Sequence, residues 1–189
     1  PILEGELVIG AAKERANFPG YRFGLHDEDV TSDRQPIEDL PQTDEKGKAR
    51  FTVKLDKVPV KTQPLEAQVI VRMVESGGRA VERNLTLPIV PTANMIGVKP
   101  LFSGRSLGEG ETATFDVVYV DPDGKTRAAR GLRYELLKVE TNYQWYRRGS
   151  RWEYEPIKLT RRIADGRVDV TVDRPGRIAA PVEGGRYRL

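Results

Sequence analysis

Hydrophobic and polar residues alternate along most of this chain with the two-residue period of β-strands. In the clearest stretch, Ala67, Val69, Val71 and Met73 form one apolar face. Since every second residue of a strand lies on the same face, such a run predicts a half-buried strand. Comparable runs lie at residues 51–55, 81–89, 114–120, 132–136 and 168–172. No stretch of eleven or more residues keeps a helical period with caps at both ends, so the pattern predicts an all-β fold of antiparallel sheets.

Glycine, proline and aspartate separate these runs. Asp121–Lys125 has the sequence Asp-Pro-Asp-Gly-Lys and predicts a tight turn, because Asp bonds nearby backbone, Pro presets φ and Gly adopts positive φ. Residues 75–79 predict a hairpin loop, and residues 164–167 predict a turn before the last valine-rich strand. Residues 17–42 contain three prolines and predict an irregular stretch, either a surface excursion or an insertion at a strand edge.

The chain has 189 residues, and Val90–Asn94 is its best linker candidate. This segment is small and polar with a proline, and the charge changes sign across it: the formal charge is −2 over residues 1–92 and +5 over residues 93–189. We therefore predict two β-sandwich domains in tandem, immunoglobulin- or fibronectin-like in type, at residues 1–91 and 92–189. Because apolar alternation starts almost at once and is still running at the end, we expect the first domain to lack its first strand and the second to be truncated in its last.

Composition excludes several kinds of chemistry. With no cysteine and one histidine, the chain has no disulfide, no thiolate metal site and no cysteine nucleophile. It also lacks a Gly-x-Ser-x-Gly elbow and a phosphate loop, so we predict that it is not an enzyme and binds no cofactor or metal. No apolar run approaches the ~20 residues that span a bilayer, which predicts no membrane insertion by this segment. The arginines of the basic second half alternate with acids, as on a solvated strand face, so no nucleic-acid partner is predicted.

The single histidine, His26, lies in the acidic stretch Gly24–Asp29 beside three carboxylates. One interpretation is a cation site, since carboxylates suit calcium and imidazole suits zinc. The other is an acidic loop whose carboxylates are solvated or pair with Arg22 and Arg34. The spacing matches no defined calcium loop, which favours the second interpretation.

Residues 143–154 contain both tryptophans of the chain, around an Arg-Arg-Gly-Ser sequence typical of a hairpin tip. Such aromatic residues interleaved with arginines can stack on bases or sugars, or can be covered by a core or a neighbouring domain. Covering is favoured, because bare aromatic rings are costly in water. The candidate interface residues are Tyr143, Trp145, Tyr146, Arg147, Arg148, Trp152 and Tyr154.

Several segments of this sequence resemble bacterial alpha-2-macroglobulins. They are Pro19–Glu28 (Pro-Gly-Tyr-Arg-Phe-Gly-Leu-His-Asp-Glu), Ile96–Phe102, and Tyr143–Arg147 (Tyr-Gln-Trp-Tyr-Arg), the most specific of them. The resemblance implies two consecutive macroglobulin-like β-sandwiches from the middle of a large periplasmic protein. In that family, a string of such sandwiches builds a cage that traps an attacking protease.

The same resemblance implies that these are non-catalytic scaffold domains of a protease inhibitor. Their partners would be neighbouring domains of the same parent chain and, through the intact parent, host or foreign proteases. A lipid anchor on the periplasmic parent is left open. Covalent trapping in the family uses a thioester between Cys and Gln, which this cysteine-free chain cannot form. The alternative function is a cell-envelope binding module that engages a protein or carbohydrate through the aromatic hairpin.

Overall fold

The computed structural model describes residues 2–104 and 106–189. The strands in those residues are all antiparallel where their register is defined, and there is no helix among them, which confirms the predicted all-β fold class. Accordingly, no helix in the described part of the chain is long and apolar enough to cross a membrane. The strands are β1 (Ile2–Ala11), β2 (Arg22–Phe23), β3 (Asp33–Ile37), β4 (Leu65–Val74), β5 (Ala80–Pro88), β6 (Met95–Pro100), β7 (Thr112–Val120), β8 (Ala129–Arg148), β9 (Arg151–Val170), β10 (Gly176–Pro181) and β11 (Arg186–Arg188).

The chain divides into two compact units. The first comprises Pro1–Gly97 together with Val120–Lys125, and the second comprises Val98–Tyr119 together with Thr126–Leu189. Strand β6 therefore contributes residues to both units. The domain limits at residues 91 and 92, the absent first strand and the truncated last strand stay predictions.

The first unit contains a four-stranded sheet in the order β3-β1-β4-β5. Strands β1 and β4 pair along their whole length, which places Leu7 opposite Val69 and Ile9 opposite Ala67. Leu7, Ile9 and Ala67 are buried together, and Val69 packs against them. The apolar face that alternation indicates in β4 therefore forms part of the core.

Two predictions in this unit are wrong. Residues 51–55 form no strand; Val53 packs against the Leu7–Ile9 cluster, but no neighbouring strand pairs with its segment. Alternation predicts which side chains share a face, not whether a sheet edge is available. Residues 17–42, expected to be irregular, contain β2 and β3, although β3 lies at a sheet edge as the strand-edge alternative predicts. Pro36 is tolerated in β3 because this strand lies at the sheet edge, where a missing N–H breaks no ladder.

The second unit is built as two packed sheets. In one of them β10 pairs with β7, and the other has the strand order β11-β8-β9. Val117 of β7 and Ile178 of β10 pack against Val168 and Val170 of β9, so the inner faces of the two sheets share one buried cluster. A second cluster joins Leu136 of β8 to buried residues Ala113, Ala180 and Val182.

The predicted turns at residues 75–79 and Asp121–Lys125 are confirmed: the Glu75 N–H donates to the Arg79 carbonyl, and Asp121 Oδ1 accepts the Lys125 N–H at 2.9 Å. The turn predicted at residues 164–167 is wrong, because this segment lies inside β9. Gly166 is opposite Tyr134, and a Cβ there would lie 2.8 Å from the Tyr134 hydroxyl oxygen. This glycine therefore allows an aromatic ring to pack closely and does not mark a turn.

Candidate functional site

Strands β8 and β9 form a hairpin much longer than the sheet to which it belongs. They pair from Ala129 opposite Val170 to Arg148 opposite Arg151, whereas β11 pairs with β8 only at Leu137–Val139. We call residues 140–160 the arm and the remaining parts of both strands the base. All arm residues are exposed except Glu153, which is half-buried.

The arm ends in the predicted two-residue turn. Gly149 has a φ of 63°, which glycine adopts without strain, and Ser150 follows it. Arg147 Nε donates to the Gly149 carbonyl at 3.0 Å, so the Arg147 side chain bends towards the tip. The sequence therefore located this hairpin correctly.

Pairing across the hairpin gives the arm two chemically different faces. Residues directly opposite one another point to the same side of a sheet, so Trp145 shares a face with Tyr154, and Arg147 with Trp152. This aromatic face carries two basic residues and no acid. Glu140, Glu153 and Glu155 lie on the other face, which we call the acidic face. The aromatic face consists of Thr141, Tyr143, Trp145, Arg147, Trp152, Tyr154, Pro156 and Lys158.

The aromatic rings contact one another but remain open to solvent. The ring of Tyr154 lies 5.3 Å from that of Trp145 and 5.8 Å from that of Tyr143, measured between centroids. Trp145 and Trp152 are nevertheless 63% and 67% exposed. The rings therefore form a continuous apolar surface whose outer side is uncovered.

This exposure carries a large free-energy penalty. If a partner covered about 100 Å² on each of the four rings, about 400 Å² of apolar surface would leave water, worth about 10 kcal/mol before the costs of association. An apolar patch of about 400 Å² is comparable to the largest patch on a typical soluble monomer, which is often functional. The interpretation that the protein's own core covers these rings is wrong within this chain, because the arm extends past the sheet that could cover it. Covering by a neighbouring domain stays a prediction.

The structure divides the seven candidate interface residues between the two faces. Tyr143, Trp145, Arg147, Trp152 and Tyr154 lie on the aromatic face, whereas Tyr146 and Arg148 lie on the acidic face. Sequence reasoning missed Pro156 and Lys158 of the aromatic face. Continuing the two-residue period from Trp152 along β9 would have included both.

On the acidic face, the Tyr146 hydroxyl donates to Glu153 Oε2 at 3.2 Å. This hydrogen bond to a carboxylate, together with burial and the charges of Glu153 and Glu155, raises the pKa of Tyr146. The acidic face thus satisfies some of its polar groups by itself.

The second segment singled out by sequence, Pro19–Glu28, is fixed to the residues that precede β4. The Glu28 carboxylate accepts hydrogen bonds from the Thr62 N–H, the Thr62 hydroxyl and the Gln63 N–H at 2.9–3.0 Å. The Thr62 N–H bond is the main cause that lowers the pKa of Glu28. Gln63 Nε2 in turn donates to the carbonyls of Leu25 and Glu28. We call this set of bonds the Glu28 lock.

The Glu28 lock explains why the acidic stretch has a glycine at position 24 and a carboxylate at position 28. Gly24 has a φ of 77°, and a Cβ there would overlap the Thr62 backbone. The predicted pairing of a carboxylate of this stretch with Arg34 is wrong for Glu28, which bonds to Thr62 and Gln63, while Arg34 contacts Glu6 at 3.2 Å. His26 is exposed, and among the described residues no group of three His, Cys, Asp or Glu side chains is placed to hold a metal ion.

Packed antiparallel β-sheets with a long exposed hairpin define a β-sandwich protein, and comparisons with known proteins identify its family. The family model of the bacterial alpha-2-macroglobulin MG5 domain matches residues 2–91, and the model of bacterial macroglobulin domain 6 matches residues 97–189. The chain therefore belongs to the bacterial alpha-2-macroglobulin family.

Individual relatives agree with this assignment. The chain is 26% identical to alpha-2-macroglobulin of Escherichia coli K12 over 99% of its length, and 32% identical to that of Xylella fastidiosa 9a5c over 70%. It spans only 12% and 8% of the lengths of these relatives. Among solved structures, native E. coli alpha-2-macroglobulin matches 98% of the chain with a TM-score of 0.72 at 25% identity, the chain covering 12% of it. The same protein activated by porcine elastase matches 98% with a TM-score of 0.70 at 26% identity, the chain covering 17% of it.

Proposed function

We propose that this chain supplies two non-catalytic scaffold domains to a longer bacterial alpha-2-macroglobulin that traps attacking proteases. The observation that carries the proposal is the end-to-end match of two consecutive macroglobulin domains over almost the entire chain. Such domains would position the protease-sensitive and thioester-bearing parts of the parent.

The chemistry of the chain supports a structural role. Without cysteine it can form no thioester of its own. Among the residues that the structure describes, the buried ones are hydrophobic or glycine apart from Asp121, whose carboxylate accepts the Lys125 N–H within a turn. The relative activated by porcine elastase supports proteases as partners of the intact parent.

The test compares the 189-residue chain with the full-length polypeptide that contains it. Elastase or trypsin is mixed with each, and residual activity is measured on a large protein substrate and on a small peptide substrate. A trap protects large substrates while a small peptide still reaches the enclosed protease. We expect this split for the full-length protein and no effect from the 189-residue chain. Strong inhibition by the chain alone would contradict a scaffold role.

A second candidate function is favoured by the exposed aromatic face: a binding module for an external protein or carbohydrate. It predicts saturable binding of such a ligand to the 189-residue chain and loss of binding in Trp145→Ala. Absence of binding to glycan and protein arrays would remove this candidate.

We also propose a periplasmic location for the parent protein, as the family resemblance implies. Cell fractionation with an antibody against this chain tests the location, and recovery in the cytoplasmic fraction would contradict it.

A further inference from the structure

The aromatic face of the arm has a chemistry that limits what can cover it. Its four rings lie between two basic residues, Arg147 towards the tip and Lys158 towards the base, and it carries no carboxylate. None of the ion pairs among the described residues involves Arg147 or Lys158. A complementary surface is therefore apolar at its centre and acidic at its margins.

The edge of the arm is poorly suited to binding by strand addition. Pro156 lies within β9, and a proline in a paired strand directs its missing N–H away from its partner. An added strand would therefore find one donor absent midway along the outer edge of β9. Strand addition along β9 is therefore disfavoured, and the aromatic face is the surface of the arm with the most distinctive chemistry.

A second copy of this chain does not fit that face. Two aromatic faces brought together would oppose two pairs of basic residues with no acid between them. Packing the aromatic face on the acidic face of a second copy would match charges, but this contact is heterologous and would continue into open assemblies.

Bases inserted between neighbouring rings do not fit either. Insertion of a base between two rings needs about 7 Å, twice the ~3.4 Å stacking step of nucleic acids. The ring of Tyr154 is 5.3 Å from Trp145, with the planes tilted by 50°, and 5.8 Å from Tyr143, with the planes at 65°. Tyr143, Trp145 and Tyr154 therefore fill the spaces between one another and leave no gap for a base among them.

Since this chain spans only 12% of the length of its E. coli relative, most of a parent of that kind lies outside these residues. We propose that the aromatic face binds an apolar, carboxylate-bearing protein surface on another domain of the same parent polypeptide. This inference rests on the proposed function only in requiring a longer parent chain. Trp145, Tyr154 and their neighbours form the buried centre of the contact, and Lys158 faces a carboxylate at its margin.

Hydroxyl-radical footprinting read by mass spectrometry tests the contact residue by residue. The 189-residue chain and the full-length protein are labelled in parallel. A ring moving from about 60% exposed into an interface core should lose labelling about fivefold or more. We expect this loss at Trp145 and Tyr154 in the full-length protein and a smaller change at Tyr146, on the acidic face. Equal labelling of Trp145 in both proteins would overturn the proposal.

Charge reversal tests the chemistry of the partner. Lys158→Glu in the full-length protein should raise labelling of Trp145 at least about twofold, because it places like charges at the margin of the contact. Arg151→Glu makes the same charge change on the same strand but on the acidic face, and should leave Trp145 protected. Equal effects of the two variants would overturn the assignment of an acidic partner surface.

Further measurements distinguish between the partner classes and between the two proposals. Protection of Trp145 in the 189-residue chain on addition of single-stranded DNA or an anionic polysaccharide would overturn a protein partner. Protease trapping is assayed on the same full-length samples. Protection of Trp145 in a protein that traps no protease would support the contact while contradicting the proposed function. Trapping without protection of Trp145 would support the proposed function while contradicting the contact.

Discussion

The base and the arm of the β8–β9 hairpin consist of the same two strands, yet the apolar side chains of the base are buried and those of the arm are exposed. In the base, Leu136 and Val170 are almost completely buried against the facing sheet. In the arm, the same alternation continues with larger side chains, but no sheet lies over them. Alternation of apolar and polar residues therefore predicts which side chains share an apolar face. The extent of the facing sheet decides whether the chain itself covers that face.

The largest expected effect lies in the base. Leu136→Ala removes a side chain that is 1% exposed and packs with Ala113, Ala180 and Val182. We expect a loss of about 3 kcal/mol in the free energy of unfolding, since truncating a buried leucine leaves a cavity. Urea denaturation of the 189-residue chain provides the measurement. Trp145→Ala in the arm is the matched control and should change stability by less than about 1 kcal/mol. Similar losses for both variants would abolish the distinction between base and arm.

Substitutions at two glycines of the hairpin test the difference between the base and the arm. Gly166→Ala in the base would place a methyl group 2.8 Å from the Tyr134 hydroxyl oxygen, so we expect a loss of about 1–3 kcal/mol from overpacking. Gly149→Ala at the tip meets no atom within 4 Å, and its loss of about 1 kcal/mol would come only from the positive φ. Thermal unfolding should therefore rank Gly166→Ala as the more damaging change. Gly149→Asn is a further control. Asparagine tolerates positive φ, so this variant should lose less stability than Gly149→Ala. Equal losses would show that the positive φ does not cause the destabilisation.

Sequence reasoning succeeded in this hairpin where local chemistry decides the structure. The tip at Gly149 and the aromatic alternation on either side follow from residue type and spacing alone. The prediction of a turn at Gly166 failed because glycine has two uses, and the one used here depends on Tyr134, more than thirty positions away in sequence. The exposure of Trp145 also depends on where the facing sheet ends relative to the arm, which no local pattern specifies.

The same limit applies to the Glu28 lock. Gly24 and Glu28 were visible as an acidic stretch, but their partners Thr62 and Gln63 have no distinctive motif. Likewise, residues 51–55 alternate like a strand yet pair with none, because pairing needs an available edge. The fold class was predictable from periodicity, whereas contacts between distant polar residues were not.

The Glu28 lock lies at the surface like the arm, but its groups make contacts within the chain as those of the base do. We therefore expect an effect of intermediate size. Its hydrogen bonds lower the pKa of Glu28 below the ordinary value of about 4.3. A depressed carboxyl pKa contributes stability above the unfolded-state pKa, and this contribution is lost as the pH falls through the folded-state pKa. We expect Glu28→Gln to lower the urea midpoint at pH 7 and to reduce its further fall between pH 5 and pH 3.

The control for this acid sensitivity is Glu45→Gln, at an exposed turn position outside the lock. It should leave the pH dependence of the urea midpoint close to that of the unaltered chain. If Glu28→Gln retains the full acid sensitivity, the bonds to Thr62 and Gln63 do not stabilise the loop.

The smallest expected effect lies on the acidic face of the arm, where Tyr146 donates to Glu153. This bond raises the pKa of Tyr146 because it stabilises the neutral phenol beside a carboxylate. Glu153→Ala should therefore lower the pKa of Tyr146 towards its ordinary value of about 10, as measured by NMR titration of the tyrosine ring carbons. Glu140→Ala, which removes an acid from the same face farther from the tip, is the control and should leave the pKa of Tyr146 nearly unchanged.

The sign of this effect also predicts how stability depends on pH. A raised phenol pKa contributes stability below the unfolded-state pKa, near 10, and the contribution is lost as the pH rises through the folded-state pKa. The unaltered chain should thus lose slightly more stability than Glu153→Ala between pH 9 and pH 11. An unchanged Tyr146 pKa in Glu153→Ala would mean that this bond does not persist in solution. A lowered one would show that the acidic face satisfies its own polar groups, which leaves the aromatic face as the side of the arm that requires a partner.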